Sequence, residues 1–289
     1  MSALTPELER KLGMAVERMP AFPRSVQKIL ELTRNINCLP KDLVGVVEKD
    51  PVMTMKILKV INSAYYALPQ KITSVSQSVV YLGINTIKNL ALGFAAVGIL
   101  PRMNAAGFDI QRYLLHSLVV AGTARQLATQ YAKGEVDSGD CYIAGLLHDF
   151  GKVVFAQFLA AEFRGAIAYV VEHDVPLHEA EKACIGVDHG PVGAMLAKRW
   201  DFPEHLVECI RDHHDPEVAP SPMMDCLRAA DQIVRLREIG DSGNPWRAGE
   251  ANAAPARFGG DVEALAAKLG SLDKIVDDAM MFAQVGHEK

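Results

Sequence analysis

Cysteine is scarce in this sequence, and no two cysteines form a CxxC pair. The five cysteines are odd in number and widely spaced: Cys38, Cys141, Cys184, Cys209 and Cys226. A disulfide framework or a zinc knuckle needs paired or closely spaced cysteines, so the pattern argues against both. We therefore expect buried, unpaired thiols.

Long hydrophobic runs are also lacking. The apolar stretch from Leu90 to Leu100 contains Gly93 and Gly98, and a membrane span needs roughly 18 to 20 apolar residues. The segment from Met1 to Arg10 lacks the basic region followed by an apolar region that marks a secretion signal. We therefore expect no membrane partner and a cytoplasmic location.

The chain has no excess of positive charge. Its formal net charge is −5, whereas nucleic-acid binding relies on a basic surface that neutralises phosphates. Residues 1–100 do carry 12 Lys and Arg against 7 Asp and Glu. This asymmetry fits either two differently solvated surfaces, which we favour, or a nucleotide-binding face. Nucleic acid is not an expected partner.

Alternating, strand-like patterns are scarce, and apolar residues recur at helical spacing along most of the 289 residues. Asp50–Pro51 is a helix-start signal. It is followed by apolar positions on one helix face: Met53, Ile57, Leu58 and Ile61. With 49% hydrophobic and 22% charged residues, the composition is that of a globular protein. The sequence predicts an all-α fold.

Proline, glycine and polar clusters divide the helical segments. Residues 1–108 are predicted to form an N-terminal helical bundle, and residues 109–239 a second helical subdomain that opens with a helix over 110–131. The segment 240–260 is rich in Gly, Ala, Asn and Pro and lacks periodicity, so we expect an exposed linker. Residues 261–289 are predicted to add a C-terminal extension with a helical hairpin over about 261–284.

His148 and Asp149 form a His-Asp doublet in an apolar segment that we expect to be one helix. A neutral imidazole nitrogen and a carboxylate oxygen can share one divalent cation. Without a cation or a paired base, the carboxylate would be buried at a high cost in solvation. The alternative is that Asp149 bonds to backbone groups or to Lys152, one helical turn away. Lys152 could equally neutralise a substrate phosphate.

Two adjacent side chains cannot fill a coordination sphere, so a metal site needs ligands from elsewhere in the chain. In sequence order the candidates are His116, His189, His213, His214 and Asp231. Taken alone, His116 or His189 would be a hydrogen-bonded structural histidine. Adjacent rings point in different directions, so we favour His213 as the ligand, with His214 beside it or facing a substrate. Polar neighbours place four other histidines at the surface: His173, His178, His205 and His287.

Together with other short motifs, these residues resemble the HDOD division of the HD superfamily of metal-dependent phosphohydrolases. The similarity extends from about Met19 to Val234. It rests on Asp50–Pro51, Ile57–Leu58 to Asn62–Ser63, Leu82–Gly83, Gly145–Lys152, Asp188–His189 with Gly193 and Trp200, and His213–His214. The resemblance implies an all-helical fold in which an HD-like core over 109–239 follows the N-terminal bundle.

The resemblance also implies a ligand set. The superfamily pattern of His, His-Asp and Asp falls on His116, His148, Asp149 and Asp231, and further metal or phosphate contacts fall on His189, His213 and Lys152. Mixed nitrogen and oxygen donors favour a divalent transition metal, namely iron, manganese or zinc, over calcium. Such a cation would lower the pKa of a bound water to about 7.

Two features depart from the related cyclic-di-GMP phosphodiesterases. The Gly-Tyr-Pro element that follows their paired histidines is replaced here by Asp215–Pro216, and Arg112 stands where they tend to have an acidic ligand. The resemblance therefore implies a bacterial regulator that acts through contacts with signalling proteins. The alternative is a metal-dependent phosphohydrolase with a nucleotide phosphoester as ligand, in which Lys152 and His214 serve catalysis.

Overall fold

The computed structural model describes residues 5–34, 38–62, 68, 70–101, 103–245 and 254–287. Within those ranges the regular structure is helical, apart from an isolated bridge between Lys133 and Val136. This confirms the predicted all-α fold. None of the described helices has, by itself, the length and apolarity of a membrane span.

The helices are numbered along the chain. They are α1 (Pro6–Arg18), α2 (Arg24–Arg34), α3 (Pro40–Val47), α4 (Pro51–Ile61), α5 (Val75–Leu82), α6 (Ile84–Ile99), α7 (Ile110–Tyr131), α8 (Ser138–Leu147), α9 (Phe150–Phe158), α10 (Ala160–His173), α11 (Leu177–Cys184), α12 (His189–Arg199), α13 (Glu204–Asp212), α14 (Pro222–Leu236), α15 (Val262–Leu269) and α16 (Asp273–His287).

Local capping explains where many helices begin. The Asp50 carboxylate accepts a hydrogen bond from the Met53 backbone N–H at 3.0 Å, and Pro51 occupies the first helical position of α4. A side-chain cap of this kind satisfies one of the N–H groups that a helix start leaves unpaired. Asp109 caps α7 in the same way, through the backbone N–H groups of Gln111 and Arg112.

The helices form two compact units. The first comprises Met1–Pro20 and Leu100–Gly270, and the second comprises Ala21–Ile99 and Ser271–Lys289. In the first unit α7 packs against α8 and α14, and α12 packs against α9 and α13. In the second unit α6 packs against α2, α4, α5 and α16.

This grouping differs from the predicted boundaries at both ends of the chain. Helix α1 packs on α12 and α9 of the first unit, where the Trp200 Nε1–H donates to the Pro20 carbonyl at 3.1 Å. Near the C-terminus α15 packs on α14 in the first unit, whereas α16 belongs to the second, where Phe282 stacks on Phe94 with 4.2 Å between ring centroids. These contacts join segments distant in sequence, so composition shifts along the chain do not mark the unit boundaries.

The predicted exposed linker over 240–260 is wrong for its first residues and also near its end, where Ala254 and Phe258 are buried. The Asp241 backbone N–H donates to the Arg112 carbonyl at 3.0 Å, and the side chains of Ser242 and Asn244 are buried. Gly240 has φ +72°, and a Cβ there would lie 2.5 Å from the backbone nitrogen of His116. The glycine therefore lets this segment lie directly on α7 rather than signalling an open chain. Residues 246–253 of the predicted linker lie outside the described residues.

The predicted single helix through the doublet is also wrong. Helix α8 ends at Leu147 and α9 begins at Phe150, so His148 and Asp149 form the junction between two helices. Gly151 lies one residue beyond the start of α9, and a Cβ there would overlap the His189 carbonyl oxygen. The break thus brings the start of α9 against the start of α12, at a distance that only glycine permits.

Candidate metal centre

A first group of donor atoms surrounds the Asp149 carboxylate from three elements of the first unit. Asp149 and His148 come from the α8–α9 junction, His116 from the middle of α7, and Asp231 from α14. The His148 Nε2 lies 3.4 Å from Asp149 Oδ2, and the His116 Nε2 lies 3.1 Å from Asp231 Oδ1. The His148 Nε2 is 3.8 Å from the same Asp231 oxygen. The structure thus brings these four predicted residues together.

A second group meets the other oxygen of Asp149. His189 stands at the start of α12, while His213 and His214 follow the end of α13. The His189 Nε2 lies 2.9 Å from Asp149 Oδ1, 3.0 Å from the His214 Nε2 and 3.3 Å from the His213 Nε2. Asp149 is therefore shared by both groups. Both rings of the His213–His214 pair reach the cluster, although the sequence favoured only His213.

Backbone carbonyls fix the tautomers of two of these rings. The Nδ1 of His148 lies 2.8 Å from the Gly145 carbonyl oxygen, and the Nδ1 of His213 lies 2.7 Å from the Ile210 carbonyl oxygen. Because a carbonyl oxygen can only accept, each Nδ1 carries a proton and, in the neutral ring, each Nε2 presents a lone pair to the cluster. This is the orientation that a metal-binding imidazole adopts.

The donor set fits a transition-metal cation. The Nε2 atoms of His116 and His148 are buried and make no hydrogen bond within the described residues, an arrangement that is costly unless another group binds them. For bond lengths of about 2.0 to 2.2 Å, ligand atoms around one ion stand about 3 to 3.5 Å apart. The closest donor separations are similar, from 2.9 Å between His189 and Asp149 to 3.4 Å between His148 and Asp149.

Burial and charge act against each other at Asp149. Burial raises the pKa of this carboxyl, but the neighbouring His148 and Lys152 outweigh it and hold the pKa well below its usual range. Lys152 Nζ donates to Asp149 Oδ2 at 2.7 Å, and both side chains are buried. Of the two roles considered for Lys152, the structure therefore shows the ion pair with Asp149.

The pKa values of the histidines in the second group are shifted in opposite directions by their surroundings. Burial lowers the pKa of His189, but the carboxylates of Glu181 and Asp149 outweigh it and raise the pKa to about 9. Burial, followed by repulsion from neighbouring imidazoles, holds the pKa values of His213 and His214 well below the usual range. Among these three rings, a positive charge is therefore favoured on His189 and disfavoured on His213 and His214.

Two residues of α11 touch the cluster and were missed in the sequence. Glu181 Oε2 lies 2.6 Å from the His189 Nδ1, and His178 stacks on His214 with 4.3 Å between ring centroids. The prediction that His178 lies at the surface is wrong, and burial lowers its pKa to about 4. Burial of these two residues could not be recognised from their polar sequence neighbours, because only one face of α11 is directed toward the site. His173 and His205 are exposed, as predicted, whereas the side chain of His287 lies outside the described residues.

Arg112 stands where related proteins tend to have an acidic metal ligand, but its side chain makes its contacts away from the metal cluster. Its Nη2 donates to the Gly240 carbonyl oxygen at 3.2 Å, and its Nη1 lies 3.3 Å from Asp241 Oδ2. The guanidinium group thus holds the segment after α14 against α7. Neither contact is with a residue of the metal cluster.

A cavity of about 280 Å³ opens beside the second group. Its lining includes His178, His213, His214, Asp231, Gln232 and Arg235. Gln232 Oε1 is buried and makes no hydrogen bond within the described residues. The volume lies just below the range for small-molecule sites, which is about 300 to 1,000 Å³. The cavity therefore places polar side chains next to the proposed ligands.

Curated relatives match parts of the chain. An uncharacterized protein of Treponema pallidum is 26% identical over 238 residues, which are 80% of this chain and 45% of that protein. Ribonuclease Y of Lawsonia intracellularis is 30% identical over 147 residues, which are 48% of this chain and 22% of that protein. In these matches the chain spans less than half the length of the relative.

Solved structures match nearly the whole chain. An HDOD domain protein of unknown function from Geobacter sulfurreducens is 25% identical with a TM-score of 0.77, and the match covers 96% of this chain and 99% of that one. A protein from Marinobacter aquaeolei VT8, provisionally described as a signal transduction protein, is 25% identical with a TM-score of 0.77. That match covers 97% of this chain and 66% of the other. The HDOD domain itself matches residues 19–216, more than half of the sequence, and the chain belongs to the HDOD family.

Proposed function

We propose that the chain is a bacterial signal-transduction protein whose HD-type site holds a divalent transition metal and which acts through contacts with other proteins. The observation that carries the metal site is the pair of buried Nε2 atoms on His116 and His148, which make no hydrogen bond within the described part of the chain and lie beside two carboxylates. A cation would bind these lone pairs and neutralise the carboxylates in one step. Iron, manganese and zinc all suit mixed imidazole and carboxylate donors.

In this proposal the ligands are the six residues assigned from the sequence: His116, His148, Asp149, His189, His213 and Asp231. Two sets of donor atoms share Asp149, one with His116 and His148 and the other with His189, His213 and His214. Within each set all the atoms lie within 4.8 Å of one another. His214 faces both the cavity and His189, so we place it beside the ligands.

The regulatory role is supported by the family and by the arrangement around Asp149. The structurally similar Marinobacter protein is provisionally described as a signal transduction protein. Both oxygens of Asp149 are already engaged within the chain, by His189 and by Lys152. In the regulatory proposal the role of Lys152 is to hold Asp149 in place through this ion pair. Arg112, in place of an acid, adds no further carboxylate.

The alternative function is hydrolysis of a nucleotide phosphoester. It is favoured by the cavity beside His213 and His214 and by the partial similarity to ribonuclease Y. A bound cation would supply polarisation of a phosphoryl oxygen and activation of water. The chain would contribute the His214 ring and the Gln232 amide at the cavity wall, and Arg235 would supply positive charge there.

The two functions separate in one set of experiments on protein purified without chelator. We expect elemental analysis to find a transition metal and a screen of nucleotide phosphomonoesters and phosphodiesters to find no turnover. A partner identified by crosslinking should bind the purified wild type and Asp149→Asn with similar Kd. Metal-dependent turnover that is lost in Asp149→Asn and kept in the exposed control Asp277→Asn would instead establish the phosphohydrolase. Absence of any bound metal would refute the metal site.

A further inference from the structure

Helix α11 carries a buried carboxylate with no role in the ligand set. Glu181 is fully buried, and its Oε2 accepts two hydrogen bonds from a single residue, His189. One comes from the backbone N–H at 2.9 Å, and the other involves the ring Nδ1 at 2.6 Å. The same oxygen therefore fixes both the backbone and the ring of His189.

His189 needs such a partner because of its place in the fold. His148 and His213 follow the ends of α8 and α13, where free backbone carbonyls three residues earlier accept their Nδ1–H groups. His189 stands at the start of α12, where a helix offers unpaired N–H groups and no free carbonyl. The acceptor for its Nδ1–H must therefore come from another element, and Glu181 of α11 supplies it.

Helix capping alone does not account for this carboxylate. Asp188 already caps α12, since its Oδ1 accepts from the Gly190 N–H at 2.9 Å. A neutral amide oxygen would serve a backbone N–H equally well. The other oxygen of Glu181, Oε1, is buried and makes no hydrogen bond within the described residues, so the full carboxylate is costly to bury. Its negative charge is useful only toward the His189 ring.

We propose that Glu181 is the positioning residue of the second ligand group: its carboxylate keeps the His189 proton on Nδ1 and directs Nε2 at Asp149, and thereby sets metal affinity. The inference rests on the proposed metal site. A carboxylate that accepts from the far nitrogen of a ligating histidine fixes the ring and raises its basicity, and loss of such a partner typically weakens metal binding 10- to 100-fold.

The test compares Glu181→Gln with Glu179→Gln, the same change at an exposed position of the same helix. In Glu181→Gln the amide oxygen of the new side chain can still accept both hydrogen bonds, so only the charge is removed. Zinc would be titrated into metal-free protein in competition with a chromophoric chelator. We expect zinc to bind Glu181→Gln about 10- to 100-fold more weakly than wild type, and Glu179→Gln to bind like wild type. Circular dichroism should show that both variants melt cooperatively without metal.

A purely structural role predicts the reverse pattern. Unchanged zinc affinity in Glu181→Gln together with a lower melting temperature would overturn the proposal. If the variant does not fold, ¹⁵N NMR of the His189 ring in the wild type provides the test. The proposal requires a protonated Nδ1 and, when zinc is added, a metal-bound Nε2. Zinc bound to Nδ1 would contradict it. Failure of the wild type to bind zinc would count against the metal centre, while Nδ1 protonation would still test the hydrogen bond to Glu181.

Discussion

The buried pair of Asp149 and Lys152 gives the sharpest test of how the site is held together. The Lys152 ammonium group donates to the Asp149 carboxylate at 2.7 Å, and the two residues are only 3% and 1% exposed. Asp149→Ala would therefore leave a positive charge buried without its partner. The same substitution removes the carboxylate that faces His189 at 2.9 Å.

The expected cost follows from burial. Removing one partner of a buried ion pair typically destabilises a protein by about 3 to 5 kcal/mol, because the remaining charge is no longer compensated. Replacing both partners by apolar groups is far less costly. We therefore expect the double variant Asp149→Ala/Lys152→Met to be at least about 2 kcal/mol more stable than Asp149→Ala alone.

An exposed pair of similar length provides the control. Lys11 Nζ lies 2.6 Å from Glu162 Oε1, with side chains 50% and 38% exposed. Pairs of this kind contribute about 0 to 1 kcal/mol, so Glu162→Ala should change stability little. If the distance between the charges rather than their burial determined the energy of the pair, Asp149→Ala and Glu162→Ala would lose similar amounts of folding stability.

The assay is urea unfolding with chelator present, so that metal does not contribute to stability. A Trp246→Phe background leaves Trp200 as the fluorescent reporter of the first unit. Loss of no more free energy in Asp149→Ala than in Glu162→Ala would refute the argument from burial. The outcome also bears on function, because a loss of activity in Asp149→Ala is informative only where the variant remains folded.

Three further predictions concern packing, metal and pH. Gly151→Ala should lower stability by about 1 to 3 kcal/mol, because the new Cβ meets the His189 carbonyl. The control Gly165→Ala, which has open space around its Cβ, should raise stability by up to about 1 kcal/mol. Equal melting temperatures of the two variants would contradict this prediction. Chelation should remove about 2.7 kcal/mol if free metal had stood at 100 times Kd, and an unchanged melting temperature in a metal-bearing preparation would argue against a metal specific to the native state. The pKa of His178 is lowered from 6.5 to about 4. The contribution of neutral His178 to stability is therefore present above pH 6.5 and lost as the pH falls toward 4. NMR titration of His178 checks the pKa, and unfolding of His178→Gln, which should lose less stability than wild type on acidification, checks the pH dependence.

The helices could be predicted because their signals are local. Asp50 with Pro51 defines a helix start within two residues, and the structure confirms this start and the helix predicted over 110–131. The break at His148 and Asp149 has no such signal, since the apolar pattern continues through it. Its cause is tertiary, because Gly151 lies against α12, which begins nearly forty residues later in the sequence.

Four of the six proposed ligands, His116, His148, Asp149 and Asp231, could be selected because ionisable residues in apolar helical segments are costly to bury and therefore conspicuous. His189 and His213 have polar or glycine neighbours, and they were selected because they complete the ordered set of histidines and match the family resemblance. His116 and Asp231 are surrounded in sequence by leucine, isoleucine, valine and alanine, and the structure brings both near Asp149. The grouping by space could not be predicted in the same way. Helix α1 belongs to the first unit and α16 to the second, and no composition shift records the contacts that place them there.

The residues that orient the ligands differ in how far they can be predicted. For His148 and His213 the acceptor is a carbonyl of the preceding helix end, so recognising the helix end predicts the tautomer. For His189, at a helix start, the acceptor must come from another element, and many groups in the chain could serve. Glu181 is followed by three exposed positions of its own helix, so its burial is visible only once α11 is placed beside α12. The sequence thus identifies donors to a metal more readily than the groups that aim them.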